Sequence, residues 1–135
     1  MRHIILTVMG AALLAAPVAK ADEGKGTLQA IGMGRALYLT NCAQCHGADA
    51  RGAALGVKLS GKVILPPDLT TIALRDGRFD PLHVAFHINT PYSGVCTTDM
   101  PCWGPIFKEK HGSGYADLQT WNLVKYLQFA QQAER

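Results

Sequence analysis

The sequence predicts an all-α fold on three observations. Leu118, Trp121, Val124 and Leu127 recur at i, i+3, i+6 and i+9, with Leu123 and Tyr126 widening the stripe, which is the pattern of an amphipathic helix. Asp68 and the step Asp80-Pro81 are helix-start signals. No run alternates over a convincing strand length, and there is no internal repeat or low-complexity block. At 135 residues the chain is one domain's worth.

In chain order, the first segment reads as a cleaved secretory leader. Arg2 and His3 precede an apolar run from Ile4 to Ala16, Pro17 breaks that run, and the small residues Ala19 and Ala21 flank Lys20. A membrane anchor is the alternative, but the run falls short of the ~20 residues needed to cross a bilayer. Residues 1–21 are therefore expected to be a signal peptide and residues 22–135 the mature domain. Arg2 and Lys20 leave with the leader, so the 13 basic residues become 11 against 10 acidic ones. That balance, with no Lys/Arg run, gives no sign of a nucleic-acid partner.

Thr27 is placed to cap a helix ending near Thr40, in which Leu28, Ile31 and Tyr38 share a face and Gly32 and Gly34 ask for a packing reason. Residues 47–67 carry Gly47, Gly52, Gly56 and Gly61 and read as an extended loop wrapping something, ended by Pro66-Pro67. A short helix follows from Asp68 to about Arg75, stopped by Gly77, and another opens at Pro81. Residues 89–105 form a long irregular loop of the kind that often carries function, and the last helix spans about Ala116 to Gln131. The predicted order is helix, loop, two short helices, long loop, helix.

The stretch Asn41-Cys42-Ala43-Gln44-Cys45-His46-Gly47 holds the chemistry. A redox dithiol expects such a pair at a strand end within a βαβ unit, and no strand precedes it. Zinc needs two more ligands at similar spacing, whereas Cys96 and Cys102 are separated by five residues. Covalent haem attachment gives each residue its own role, since two thiols reach the vinyl groups of one porphyrin edge and the following histidine reaches the iron. A second axial donor is then required. Met100, the one methionine after His46, stands between Asp99 and Pro101 and near Trp103, and is the expected ligand. His83, His87 and His111 are the rivals. The first two, four residues apart, would suit a metal pair but read as partly exposed polar positions, and His111 reads as solvated loop.

On these residues the chain resembles the class I cytochromes c, small periplasmic monohaem proteins. The resemblance rests on Gly34–Gly47, "PPDLT" (Pro66–Thr70), "DMPCWGPIF" (Asp99–Phe107) and "WNLVKYL" (Trp121–Leu127), in that order. It implies a cytochrome c fold in which the N- and C-terminal helices cross near Gly34 and Tyr38 on one side and Trp121 and Tyr126 on the other. Short helices and loops would wrap one haem, with Leu37, Leu65, Leu69, Trp103, Phe107 and Leu127 as its apolar wall. Many relatives carry a Gly-Pro step after the haem motif whose carbonyl orients the histidine. Here the comparable stretch, Arg51–Gly56, has no proline, which leaves the partner of His46 open.

Cys96 and Cys102 bracket Met100, and a disulfide between them would pin the ligand loop and restrict the unfolded chain by about 2–3 kcal/mol. The alternative is a thiolate that ligates iron or reacts. With His46 and Met100 as axial ligands of one haem c held by Cys42 and Cys45, iron binds no substrate, and the expected function is one-electron transfer in the periplasm rather than catalysis. The protein would be a diffusible carrier or the cytochrome subunit of an oxidoreductase. Its partners would be redox proteins, a dehydrogenase as donor and an oxidase or another cytochrome as acceptor, with no stable membrane insertion after cleavage. The alternative is a haem-based gas sensor or catalyst with a labile methionine.

Overall fold

A computed structural model describes residues 20–53, 55–59, 61–90 and 100–132. Most of the expected leader (1–19) and the segment 91–99 with Cys96 lie outside the described residues. The described residues form six α-helices: α1 (Lys20–Asn41), α2 (Ala43–His46), α3 (Ile72–Arg75), α4 (Pro81–Asn89), α5 (Trp103–His111) and α6 (Ser113–Gln132). A 3₁₀ turn (Leu69–Thr71) leads into α3, and a hairpin of β1 (Val57–Leu59) and β2 (Lys62–Ile64) lies between α2 and that turn. The fold is mostly helical, as the sequence indicates.

Three elements differ from the sequence reading. Helix α1 is already formed at Lys20 and passes through Gly24 and Gly26 without a break at Thr27, because extending a nucleated helix costs far less than starting one. The 47–67 stretch is not wholly irregular: β1 and β2 pair antiparallel in the register Val57↔Ile64, Lys58↔Val63, Leu59↔Lys62, with Gly61 at a φ of +81° in the turn. Glycine alone takes that angle cheaply. Helix α5 replaces the C-terminal part of the expected long loop. Its signals are Lys108, Lys110 and His111 in its last turn and Gly112 at φ +81° behind it, while Trp103-Gly104-Pro105 at its start reads locally as a turn.

The two aspartate caps form as expected. Asp68 accepts from the amide of Thr70 at 2.8 Å, and Asp80 accepts from the amides of Leu82 and His83, with Pro81 in the first turn.

Among the described residues, the pairing of α1 with α6 is the largest contact between elements. Tyr38, Thr120, Leu123 and Val124 are its fully buried side chains. Gly34 explains how the helices approach: a Cβ there would lie 1.9 Å from the backbone oxygen of Asn122 and 2.9 Å from Cβ of Tyr126. Tyr38 and Tyr126 meet beside it, with ring centroids 5.1 Å apart. Gly32 has no such reason, since nothing lies within 4 Å of its virtual Cβ.

The buried face of α6 is rotated from the stripe read in the sequence. Leu118 and Trp121 are 48% and 41% exposed, while Thr120, Asn122 and Gln131 are buried. The atoms nearest Gly34 at the crossing belong to Asn122 and Tyr126, with Trp121 partly exposed next to them in the chain. Polar side chains take the interior positions because partners are there: the Thr120 hydroxyl donates to Asn89 Oδ1 at 2.7 Å, and Gln131 accepts from the amide of Ala73 while its Nε2 donates to the carbonyl of Leu69. Those bonds tie α6 to the end of α4 and to the 3₁₀ turn.

Gly34→Ala is expected to destabilise the protein by about 1–3 kcal/mol, since the clash is with backbone. Gly32→Ala should stabilise it by about 0.5–1 kcal/mol, as alanine relieves an exposed helix glycine. Urea unfolding of the two variants checks the pair, and equal effects would contradict the crossing at Gly34.

Candidate functional site

The end of α1 and the short α2 deliver the cysteine pair. The amide of Cys42 donates to the carbonyl of Tyr38 at 2.8 Å, and the amides of Cys45 and His46 donate to the carbonyl of Cys42 at 3.1 and 2.9 Å. One helical turn therefore carries Cys42, Cys45 and His46 together. Gly47 then leaves the helix at φ +77°, and the Tyr38 hydroxyl donates to its carbonyl at 2.7 Å, fastening the exit of the motif to α1.

His46 is buried. Its Nδ1 lies 3.1 Å from the carbonyl oxygen of Pro67. A carbonyl only accepts, so Nδ1 carries the proton and Nε2 keeps its lone pair. Burial lowers the pKa of His46, and the bond to Pro67 only partly opposes that shift, so the ring is neutral at neutral pH and its lone pair is available for a metal.

The stretch without proline thus finds its orienting carbonyl 21 residues after His46. The intervening chain shows how. The amide of Gly52 donates to the carbonyl of His46 and that of Leu69 to the carbonyl of Ala50, both at 2.8 Å, which draws residues 66–69 against the loop after α2. Gly52 permits the approach twice over, with φ at +81° and a virtual Cβ 2.5 Å from the Pro66 oxygen. Ala50, fully buried, takes a positive φ of 64° at the centre of this clasp. The pair Pro66-Pro67 was the available sequence signal, but its meaning depends on a long-range contact that no local pattern encodes.

A cavity of about 540 Å³ opens on this turn, within the range that holds a cofactor-sized ligand. Cys42, Cys45 and His46 line it, and so do Met100, Pro101 and Trp103, so all four predicted site residues face one space. Leu65, Leu69 and Leu127 contribute apolar wall, as does Trp103. Leu37 and Phe107 do not line it. Leu37 packs against the core, and Phe107 is buried behind Trp103, its ring stacked at 5.7 Å. Ile72, Val84 and Ile88 also line it without having been singled out in the sequence, and so does Leu123, which the sequence marked only as part of the α6 stripe. They read there as generic helix positions, and only the packing of α3, α4 and α6 turns them inward.

The remaining histidines fall in two places. His83 and His87 line the cavity from α4, with His83 exposed and His87 half-buried. His111 is exposed at the end of α5 rather than in a loop, its ring 5.2 Å from that of Tyr115.

The thiols bear on which chemistry fits. Cys42 and Cys45 are free. Burial, reinforced by the neighbouring Cys45, pushes the Cys42 thiol up to about 12. A dithiol nucleophile needs the opposite shift, toward thiolate at neutral pH. A neutral Cys42 thiol with Cys45 beside it, an adjacent imidazole with its lone pair available, a thioether on the same cavity and apolar walls fit a haem with respect to donor set and environment.

Residues 32–131 match the protein family described as cytochrome c. No curated protein and no solved structure matches the chain.

Tyr38→Phe removes the bond that fastens Gly47 to α1 and is expected to cost about 1 kcal/mol of stability. Denaturant unfolding checks this, and an unchanged midpoint would show that the Gly47 carbonyl finds another donor.

Proposed function

The chain belongs to the cytochrome c family, whose members bind haem and transfer electrons, and on that basis we propose that it carries one haem c bound covalently through Cys42 and Cys45, with His46 and Met100 as axial ligands. The observation that carries the reading is the convergence of these four side chains on one apolar cavity. When bound, the haem supplies one-electron cycling between ferrous and ferric iron. The chain's residues do the rest. Cys42 and Cys45 would hold the haem covalently as thioethers on one porphyrin edge. The Pro67 carbonyl holds the His46 ring and strengthens it as a donor. Met100 favours the ferrous state as a soft ligand, and Leu65, Leu69, Trp103 and Leu127 exclude water.

With His46 and Met100 both holding the iron, the protein would act as an electron carrier. It passes electrons between redox proteins, a dehydrogenase as donor and an oxidase or another cytochrome as acceptor, either diffusing or as the cytochrome subunit of an oxidoreductase. The leader pattern in residues 1–21 supports export to the periplasm, where the domain 22–135 would act. Cys102, at the N-cap of α5, is oxidised, which supports a Cys96–Cys102 disulfide bracketing Met100.

Ferric protein should show the far-red methionine–iron charge-transfer band, and Met100→Ala should lose it and gain rapid CO binding in the reduced state. Rapid CO binding by the unaltered protein would favour a gas-sensing or catalytic haem instead. Mass spectrometry after alkylation, with and without reductant, is expected to show two fewer alkylatable thiols before reduction than after. Free Cys96 and Cys102 in untreated protein would remove the disulfide.

A further inference from the structure

We propose, resting on the haem reading above, that the hairpin of β1 and β2 is the face on which the electron-transfer partner docks. The partner it fits is a redox protein that presents carboxylates around an apolar centre. The register sets Val57 against Ile64 and Leu59 against Lys62 on one face of the hairpin, and Lys58 against Val63 on the other. Leu59 and Ile64 line the cavity, and so does Leu65 directly after β2. Lys58, Lys62 and Val63 are exposed. The hairpin is therefore a thin wall between the cavity and solvent, and a protein seated on it is one layer of chain away from the cavity.

Charge sets this wall apart from the other segments around the cavity. Arg51, Arg75 and Arg78 each stand beside a carboxylate, Asp49 at 4.0 Å, Asp76 at 3.2 Å and Asp80 at 3.5 Å. Lys58 and Lys62 form no ion pair among the described residues, and residues 55–65 contain no Asp or Glu. The whole chain carries a formal charge of only +3, so steering of an acidic partner has to come from local placement.

The apolar centre lies beside the lysines. Leu55 is 96% exposed, Leu65 74% and Val63 67%. Gly56 joins them into one patch: a Cβ there would lie 2.6 Å from Val63 Cγ1 and 3.5 Å from Leu65 Cδ2, and Leu55 precedes it in the chain. Exposed apolar side chains with charge at their rim are the anatomy of a protein interface. Attachment to anionic lipid draws on clusters of about 4–8 Lys/Arg, and the hairpin has two lysines.

The test mixes reduced holoprotein, its haem verified by absorption, with a blue-copper electron acceptor of acidic surface in stopped flow. The second-order rate is expected to fall as salt is raised. Lys58→Glu combined with Lys62→Glu should lower it roughly 10-fold or more at low salt, and the difference should vanish near 1 M salt, where the Debye length is about 3 Å. Leu55→Ser should lower the rate at both salt concentrations. Lys108→Glu combined with Lys110→Glu, an equal change of net charge placed on α5, should lower it far less. Equal losses in the two double variants, or no loss in the hairpin variant, would overturn the docking face. Binding to vesicles of anionic phospholipid that disappears in the hairpin variant would overturn it in favour of a membrane surface. A chain that carries no haem fails earlier, at the absorption spectrum, and overturns the haem reading together with this one. Circular dichroism and haem absorption of each variant confirm that the fold is retained.

Discussion

The contact of Gly34 with the backbone of Asn122 sets the distance between α1 and α6, and the position of the turn that carries Cys42, Cys45 and His46 follows from it. The cysteine pair begins directly after α1, so wherever that helix is fixed against α6, the thiols and His46 are fixed too. Leu123 and Leu127 of α6 line the same cavity as Cys42 and Cys45. One close approach therefore determines both the attachment side of the site and part of its apolar wall. A methyl group at position 34 would force the helices apart and widen the space into which the site is built.

A second constraint acts through the loop after α2. The clasp made by Ala50 and Gly52 brings Pro67 to His46, and Gln131 at the end of α6 binds the 3₁₀ turn that follows Pro67. Position, tautomer and charge state of the imidazole thus depend on backbone groups from separate segments of the chain. The imidazole is set by geometry and burial together. Burial keeps the ring neutral, and the carbonyl assigns which nitrogen is free. The same burial raises the Cys42 thiol, so the turn holds neutral donors suited to bonding rather than to exchange.

Much of this was readable in the chain, and the misses have physical causes. The caps at Asp68 and Asp80 act within three residues, so they survive in any fold. The α6 stripe was rotated because Leu118 and Trp121 have the right spacing, yet the positions facing inward hold Thr120, Asn122 and Gln131, whose partners on α4, α1 and the 3₁₀ segment no pattern shows. Helix α5 was hidden by Trp103-Gly104-Pro105, which reads locally as a turn. The hairpin was too short for periodicity, although Gly61 marked its turn.

The class of fold and the choice of Cys42, Cys45, His46 and Met100 as the proposed donors come from the residues alone, because haem attachment would demand particular atoms at a set spacing within one helical turn. Which carbonyl meets His46 and which face of α6 is buried do not follow from the residues. Nor does the approach of His83 to His87, whose ring orientations depend on what packs around α4. Those outcomes rest on where segments separated by tens of residues come to lie, and only tertiary packing sets that.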